Sequence, residues 1–430
     1  MGRDRTARRR GHRAGRALLA ALAALLGTVL GGLSPATGGP AGAETIDGQH
    51  SGGGRLPAGT TLRVPVTGRG GVPADGVDAV ALNVTVTAPT QAAYLTVWPS
   101  GTARPLASNV NFAAGQTRPN MVIAKVGDDG AVAVFNPAGS LHVVVDVLGW
   151  FPAGSINSLT PARVLDTRPA GATADGQQVG IGPAAGGAVV PVSVAGRGGV
   201  PVQGVRAVAL NVTAVDAATD TFVTVWPAGS PRPLASNLNV AAGATAANLV
   251  IVPLGPNGRV QLYNEAGLAD LVVDVLAWFP TDGPYRGLVP ARLLDTRPGA
   301  ATVDGAGAGT GALGGGAVRS LPVTGRAGVP AEGVEAVAVN VTATGATAET
   351  YLAVWPSGAP RPLSSNLNVP MGTTRANMVL AKVGEDGAVS IYNEAGQVAV
   401  IVDVLGWFST GGGYTSLNPA RLADTRPPDG

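Results

Sequence analysis

The sequence predicts an all-β protein built from three tandem β-sandwich repeats, Ig-like or jelly-roll-like, each of about 128 residues. Three observations lead to this prediction. The chain repeats itself with that period, its apolar residues alternate with a period of two, and turn-forming residues are abundant, with 64 Gly and 34 Pro among 430 residues. After residue 43, no stretch keeps a helical period long enough to predict a helix.

The first 43 residues have the pattern of a signal peptide. Seven arginines precede an apolar run over residues 17–33, and small residues lead to a cleavage position between Ala43 and Glu44. A transmembrane anchor is the alternative, but it needs about 20 continuous apolar residues. We therefore expect removal of this segment and a mature protein that is secreted, with no membrane segment and possible attachment to the cell surface. The export route, Sec or Tat, stays open.

Removal of the leader changes the charge of the protein. The full chain carries 29 Lys+Arg and 27 Asp+Glu, and the mature part retains 22 and 26 of them, a net charge near −4. The remaining arginines form no basic stripe, which argues against a nucleic-acid partner. The chain has no Cys, so about 385 mature residues depend on apolar cores without disulfides.

Each repeat closes on an apolar stretch that contains one aspartate. Residues 143–151 form the first copy, and equivalent stretches end at Phe279 and Phe408. Such a run indicates a central β-strand with one buried carboxylate. Of the 18 aromatic residues, 15 fall in five recurring positions, which are the expected anchors of the core.

The first repeat contains about seven short strands separated by turn signals. They are expected at residues 62–66, 77–87, 94–98, 108–112, 120–126, 131–136 and 141–151. Seven short strands favour a two-sheet sandwich. A propeller is the main competitor, but a blade takes about 40–50 residues, so a repeat of this length is interpreted as a domain.

The boundaries follow from these repeats. We predict a signal peptide at 1–43, an N-terminal linker at 44–57, repeat 1 at 58–153, repeat 2 at 159–281, repeat 3 at 288–410 and a C-terminal orphan strand at 417–430. The Gly/Ala-rich joins at 170–188 and 299–317 are interpreted as flexible loops or linkers.

A second recurring strand is offset from the repeat bodies. The motif Pro-Ala-Arg-x-x-Asp-Thr-Arg-Pro, hereafter the DTR strand, occupies residues 161–169, 290–298 and 419–427, and none precedes repeat 1. If each DTR strand completes the following body, repeat 1 has a vacant edge that the tail could fill by folding back or by entering another molecule. Alternatively, each DTR strand packs on the preceding body and the monomer is complete.

These motifs in sequence resemble a known repeat domain. The order P-A-R-x-L-D-T-R, G-R-G-G-V-P, L-N-V-T, V-W-P-x-G, S-N-x-N and D-V-L-x-W-F is similar to a repeat of secreted and cell-surface proteins of high-GC Gram-positive (actinobacterial) and other environmental bacteria. The resemblance covers nearly all of the mature chain. It implies an accessory surface module, often beside cell-wall hydrolase or peptidase domains, in which the DTR strand opens each domain.

Recurring charges are interpreted as structural. A buried aspartate on an apolar strand needs a partner, so we expect each closing-strand aspartate to contact a recurring arginine or backbone donors. The columns concerned are Asp146, Asp274, Asp403, Asp166, Asp295, Asp424, Arg168, Arg297 and Arg426.

Recurring tryptophans and asparagines are the candidates for ligand contact. Exposed rings of Trp98, Trp226 and Trp355 could stack on sugars, but their apolar surroundings favour the core. The asparagines near strand ends are expected to tie turns through side-chain hydrogen bonds.

Little in the sequence points to catalysis. Asp-Thr-Arg differs from the Asp-Thr-Gly of aspartic proteases, whose two carboxylates share a proton. His50 and His142 are the only mature histidines, and neither recurs. No cofactor, zinc or calcium motif is present.

The sequence therefore predicts a non-enzymatic surface or extracellular repeat protein that acts as a scaffold, spacer or adhesive and that could self-assemble through its C-terminal strand. The alternative is a multivalent array that binds carbohydrate of the cell wall. The expected partners are accordingly a second copy of the chain or cell-wall polysaccharide.

Overall fold

The computed structural model describes residues 44–428. Residues 1–43 and 429–430 are not described, so the expected signal peptide and Ala43 lie outside this range. Glu44 is the first described residue and is exposed. No helix among the described residues is long and apolar enough to cross a membrane.

Repeat 1 contributes the first eight strands. They are β1 (Leu56–Pro57), β2 (Thr60–Pro65), β3 (Val77–Thr87), β4 (Ala93–Pro99), β5 (Val110–Phe112), β6 (Arg118–Lys125), β7 (Ala131–Asn136) and β8 (Ser140–Pro152). Apolar and β-branched side chains fill the buried positions of these strands, as expected for a pleated surface packed on a core.

Repeats 2 and 3 follow the same order. The strands of repeat 2 are β9 (Asn157–Asp166), β10 (Val189–Ser193), β11 (Val205–Val215), β12 (Thr221–Pro227), β13 (Leu238–Val240), β14 (Ala246–Pro253), β15 (Arg259–Asn264) and β16 (Asp270–Pro280), with a 3-10 turn at Pro256–Gly258. The remaining strands are β17 (Tyr285–Asp295), β18 (Leu313–Gly314), β19 (Val318–Pro322), β20 (Val334–Thr344), β21 (Thr350–Pro356), β22 (Leu367–Val369), β23 (Arg375–Lys382), β24 (Ala388–Asn393), β25 (Gln397–Ser409) and β26 (Thr415–Asp424).

Each repeat supplies two antiparallel sheets. The three hub sheets have the orders β26-β8-β3-β6, β9-β16-β11-β14 and β17-β25-β20-β23, and the short strands β1 and β18 extend the first and the third. The three flanking sheets have the orders β2-β7-β4-β5, β10-β15-β12-β13 and β19-β24-β21-β22. The edge strands β6, β14 and β23 of the hub sheets contact one another around a pseudo-threefold axis.

The prediction of an all-β fold is confirmed, but the prediction of three tandem sandwiches is wrong. The six sheets form a propeller-like ring, the described residues 44–428 belong to one compact unit, and one buried hydrophobic cluster extends from Leu56 to Ala423. A sequence period measures the symmetry unit and not the size of a sheet. One repeat here carries two sheets, so the length argument against a propeller does not apply.

The DTR strands complete the bodies that follow them. In repeat 2, β9 pairs with β16, and in repeat 3, β17 pairs with β25. The last DTR strand, β26, folds back and pairs with β8 of repeat 1, with Arg421 opposite Asp146. The alternative in which each DTR strand packs on the preceding body is therefore wrong, and residues 417–428 are not an orphan strand.

The segments predicted as linkers are held in place by a repeated ion pair. Arg69 binds Asp47 at 2.6 Å, and the equivalent pairs Arg197–Asp175 and Arg326–Asp304 are 2.7 and 2.6 Å long. Each aspartate belongs to a Thr-x-Asp-Gly motif, at residues 45–48, 173–176 and 302–305. Residues 44–52 consequently occupy the place that residues 172–180 take in repeat 2.

The start of the described chain lies against its end. The amide of Ile46 donates to the Arg421 carbonyl, and the amides of Gly52 and Asp424 donate to the carbonyls of Asp424 and His50. Residues 44–52 and β26 thus meet at the position where, in the other two repeats, a covalently continuous loop follows the DTR strand. The ring is closed by backbone hydrogen bonds at this point.

Candidate functional site

A buried network of charged groups lies at each DTR strand. In repeat 2, Arg163 binds Asp274 at 2.8 Å and Asp166 at 3.1 Å, and Asp166 also accepts a 2.7 Å bond from Arg168. Asp166 and Asp274 are 0% and 1% exposed. The arginine that the sequence analysis expects for the buried aspartate is therefore Arg163, supplied by the neighbouring strand β9.

The network recurs with the same connections in the other repeats. The pairs are Arg292–Asp403 (2.9 Å), Arg292–Asp295 (3.0 Å) and Arg297–Asp295 (2.6 Å), then Arg421–Asp146 (3.0 Å), Arg421–Asp424 (3.1 Å) and Arg426–Asp424 (2.6 Å). In the second set, β26 brings Arg421 to a carboxylate 275 residues earlier in the chain. The closure of the ring therefore also satisfies the buried charge of repeat 1.

The two aspartates of each network have different electrostatic environments. Burial raises the pKa of Asp274, and Arg163 opposes this effect without cancelling it. Burial also acts to raise the pKa of Asp166, but hydrogen bonds from Arg168 and the charges of both arginines outweigh it, so that pKa lies below its usual value. Because every carboxylate is engaged by guanidinium groups, the network favours a structural role over proton transfer.

Asparagines join neighbouring repeats. The Asn120 side chain donates to Asn211 Oδ1 at 2.9 Å and accepts from the Leu249 amide at 3.3 Å, both in repeat 2. Leu249 lies in the edge strand β14, whose outer N–H groups have no strand partner. The side chain therefore satisfies an edge that would otherwise be open.

The same bonds occur at all three junctions, and we call the set the asparagine lock. Its other members are the bonds Asn248–Asn340 (2.9 Å), Asn248–Met378 amide (3.0 Å), Asn377–Asn83 (3.1 Å) and Asn377–Met121 amide (3.2 Å). Asn109 and its equivalents act within a repeat, where Asn109 Oδ1 accepts from the Val97 amide at 2.7 Å. The predicted turn-tying is confirmed at Asn136, which donates to the Gly139 carbonyl at 3.2 Å and accepts from the Ala138 amide at 3.3 Å. The bonds of other asparagines between strands and between repeats were not predicted.

The tryptophan column lies in the structure's interior. Trp98, Trp226 and Trp355 are 5%, 2% and 5% exposed, and each indole N–H donates to a nearby carbonyl. No ring face is open for stacking on a sugar, which supports the core interpretation. A second recurring column of aromatic rings is covered by arginines, for example Phe135, whose ring centroid lies 3.7 Å from the Arg104 guanidinium carbon.

Neither mature histidine belongs to a catalytic arrangement among the described residues. His142 Nδ1 lies 3.0 Å from the Thr425 carbonyl oxygen, and burial lowers the pKa of its imidazole. His50 lies in the segment that pairs with β26. Within residues 44–428, no group of three or more His, Cys, Asp or Glu side chains could hold a metal ion.

A groove of about 340 Å³ lies between repeats 2 and 3. Arg292 and Arg297 line it together with the hydroxyl groups of Thr344 and Thr374, and Phe222 and Leu234 form its apolar side. The Leu234 side chain is almost fully exposed, at 93%. Guanidinium and hydroxyl groups beside an apolar wall can bind a polar polymer with acidic groups.

No family model and no curated protein matches this chain. Two solved structures match this chain, one of the Sulfolobus Turreted Icosahedral Virus and one of the triple jelly roll fold and turret assembly in an archaeal virus. Their sequences are 9% and 8% identical to this chain. The matched regions span 84% and 86% of this chain and 85% and 84% of the respective viral chains. The TM-score is 0.19 for both, and a likeness this weak carries no conclusion about function.

Proposed function

We propose that this protein is an exported, non-enzymatic scaffold or spacer of the cell surface or the extracellular space. The observation that carries the proposal is the closure of the ring by β26 on β8. Together with the asparagine lock, this closure joins three repeats into one body with a shared core. A stiff module of this kind holds attached or neighbouring groups at a fixed distance and needs no reactive site.

The use of the charged residues supports the same proposal. The pattern that recurs in each repeat places buried carboxylates in ion pairs that hold strands together, as for Asp146, Asp274 and Asp403. An exported scaffold without disulfides needs such internal connections, because its stability depends on packing and hydrogen bonding alone.

The scaffold could also consist of several copies of this chain that assemble through β26. Since β26 already pairs within its own chain, assembly requires that two molecules exchange the strand. The adhesive form of the proposal would use the outer surface of the closed ring instead.

The first test compares the mature chain, residues 44–430, with a version that ends before Leu417. We expect the mature chain to remain monomeric across concentration in light scattering and to resist proteolysis. The truncated chain loses β26, leaves the edge of β8 open and should self-associate or unfold. The mass of the full chain could instead increase with concentration while that of the truncated chain does not. That result would contradict a monomeric scaffold and would indicate strand exchange between molecules.

The second test determines where the protein is located and whether its leader has been removed. Fractionation of producing cells should recover the processed chain in the medium or on the surface. Recovery of the unprocessed chain inside the cell would overturn the proposed export.

Binding of cell-wall polysaccharide is the second candidate function, and the groove between repeats 2 and 3 favours it. An acidic polysaccharide could bind Arg297, whose side chain is 46% exposed. Co-sedimentation with purified cell walls should then weaken in an Arg297→Ala variant and persist in an Arg259→Ala variant, whose arginine lies outside the groove. Equal sedimentation of both variants would exclude this groove as the binding site.

A further inference from the structure

Two buried arginines lie at one end of the pseudo-threefold axis. Arg118 begins β6 and Arg375 begins β23, and their residues are only 5% and 9% exposed. Each precedes an asparagine of the lock, Asn120 or Asn377, by two positions, so it lies on the same face of its strand. The strands β6 and β23 contact each other, so the two arginines begin adjacent strands of repeats 1 and 3, and the charge of Arg375 acts on Arg118.

Neither arginine has a carboxylate partner among the described residues. The Arg118 guanidinium makes no hydrogen bond or ion pair with residues 44–428. Arg375 Nη1 donates to the Thr374 carbonyl at 3.2 Å, while its Nε is buried without a partner. By contrast, Arg163 and Arg421 are buried to a similar degree and each binds two aspartates.

Two buried arginines without a bound anion lower the stability of the folded state. Burial and the positive charge of Arg375 lower the pKa of Arg118 to about 9, and burial lowers the pKa of Arg375 as well. A buried charge without a counter-charge carries a large desolvation penalty, and a like charge nearby adds to it. No carboxylate among residues 44–428 supplies a counter-charge here, and a bound anion would compensate both cations.

We propose that a small oxyanion of the phosphate or sulfate type binds between Arg118 and Arg375. Two guanidinium forks match the oxygens of such an anion, and a dianion neutralises both cations. Repeat 2 carries Ala246 at the equivalent position, so its strand adds no third cation and takes up little space. The low exposure of both arginines restricts the ligand to a free ion rather than a polymer.

The anion would act as a connection between repeats 1 and 3, beside the bond between Asn377 and Asn83. This role differs from the proposed scaffold function and from polysaccharide binding, because it concerns one internal ion per ring. An exported protein meets phosphate in its medium, so the stability of the ring would depend on that medium.

The test uses the mature chain at pH 7 and constant ionic strength, with inorganic phosphate as the probe. Calorimetric titration and thermal unfolding are compared for the wild type, Arg118→Ala, Arg375→Ala and the double variant. Both substitutions introduce the residue that repeat 2 carries naturally. The control is Arg104→Ala, which removes an arginine stacked on the ring of Phe135.

We expect one phosphate per chain, a Tm that rises with the logarithm of its concentration and at least a tenfold loss of affinity in each single variant. Without phosphate, the double variant should be at least as stable as the wild type, and phosphate should reverse this order. A Tm increase of equal size in every variant would be the general effect of an excluded salt and would overturn the proposal. So would the absence of both binding heat and a Tm shift in the wild type.

If the alanine variants do not fold, Arg118→Lys provides the second comparison. Lysine keeps the charge but loses the planar fork. Weaker phosphate binding by this variant supports the site, and unchanged binding overturns it.

Discussion

At the scale of single residues, the structure separates charges that hold the fold from charges that lie on its surface. Asp274 is buried with Arg163, whereas Glu265 and Arg232 form a pair 3.9 Å long with both side chains more than 40% exposed. Removal of one partner of a buried pair leaves an uncompensated charge, while an exposed pair is screened by water.

This contrast predicts very different effects for two conservative substitutions. Asp166→Asn should lower the free energy of unfolding by about 3–5 kcal/mol, because Arg163 and Arg168 lose the buried counter-charge that they hold ionised. Glu265→Gln should change it by less than about 1 kcal/mol. Urea unfolding of both variants at pH 7 measures the difference, and equal values would contradict a structural role for the buried network.

The ion pairs of the Thr-x-Asp-Gly motifs predict a specific dependence on pH. The hydrogen bond from Arg69 holds the pKa of Asp47 at about 2, and Arg326 does the same for Asp304. A carboxyl whose pKa is lower in the folded state stabilises the fold above its unfolded pKa, near 3.8. That contribution is lost as the pH falls from about 4 through 2.

Asp47→Asn should therefore destabilise the protein by about 1.5–3 kcal/mol at pH 6. The difference from the wild type should shrink steadily below pH 4 and nearly disappear at pH 2. Asp75→Asn is the control, because Asp75 is exposed and forms no ion pair among the described residues. A deficit of Asp47→Asn that stays constant with pH would assign its effect to packing.

At the scale of strands, the closing strands meet in an aromatic cluster on the axis. The rings of Phe151, Phe279 and Phe408 lie 5.9–6.3 Å apart, centroid to centroid. Tyr285 and Tyr414 pack beside them, and their hydroxyl groups donate to carbonyls of the closing strands. This cluster connects all three repeats at one point.

Repeat 2 differs from the other two repeats at two neighbouring positions of this cluster, and the two differences compensate each other in size. Where repeats 1 and 3 place Gly149 and Gly406 under a tyrosine ring, repeat 2 has Ala277 and Ile156. A Cβ at Gly149 would lie 2.4 Å from the Tyr414 hydroxyl, so the large ring requires glycine. The smaller isoleucine leaves room for alanine.

Ile156→Tyr should thus be destabilising by about 1–3 kcal/mol, because the new ring meets the methyl group of Ala277. Ala277→Gly alone should cost about 0.5–1 kcal/mol. The double variant should recover much of the loss, since it reproduces the arrangement of the other repeats. A double-mutant cycle in urea measures this coupling, and additive effects would show that the two positions are independent.

Strands and their period were predictable from the sequence, but the connections between repeats were not. Alternation in residues 77–87 correctly placed β3, although the eight consecutive residues 79–86 are buried and both faces of that strand are therefore covered. The same pattern cannot tell whether neighbouring repeats merge their cores. Asn83, Asn211 and Asn340 stand inside apolar strands, and this recurrence was a signal for the asparagine lock. Arg118 was missed because repeat 2 replaces it by Ala246.

At the scale of the whole molecule, the ring is interrupted at only one of three equivalent loops. Residues 44–52 lie on β26 as residues 172–180 lie on β9, and backbone hydrogen bonds replace the missing covalent connection. The packing is therefore equivalent at all three loops, and only the order of the segments along the chain decides which loop contains the termini. Moving the break should leave the packing intact.

A circular permutant tests this directly. Pro428 is joined to Thr45 by two residues, so that three residues separate Pro427 from Thr45 as three separate Pro169 from Thr173 in repeat 2, and the new ends are placed between Ala300 and Ala301. Because the new break lies at the equivalent loop of repeat 3, the permutant should fold with a free energy of unfolding within about 1 kcal/mol of the parent. A control with ends between Val339 and Asn340 breaks the buried strand β20 and should not fold. Far-ultraviolet circular dichroism and urea unfolding compare the three proteins, and an unfolded permutant would mean that the connection at residues 299–302 carries the ring, not the packing of its sheets.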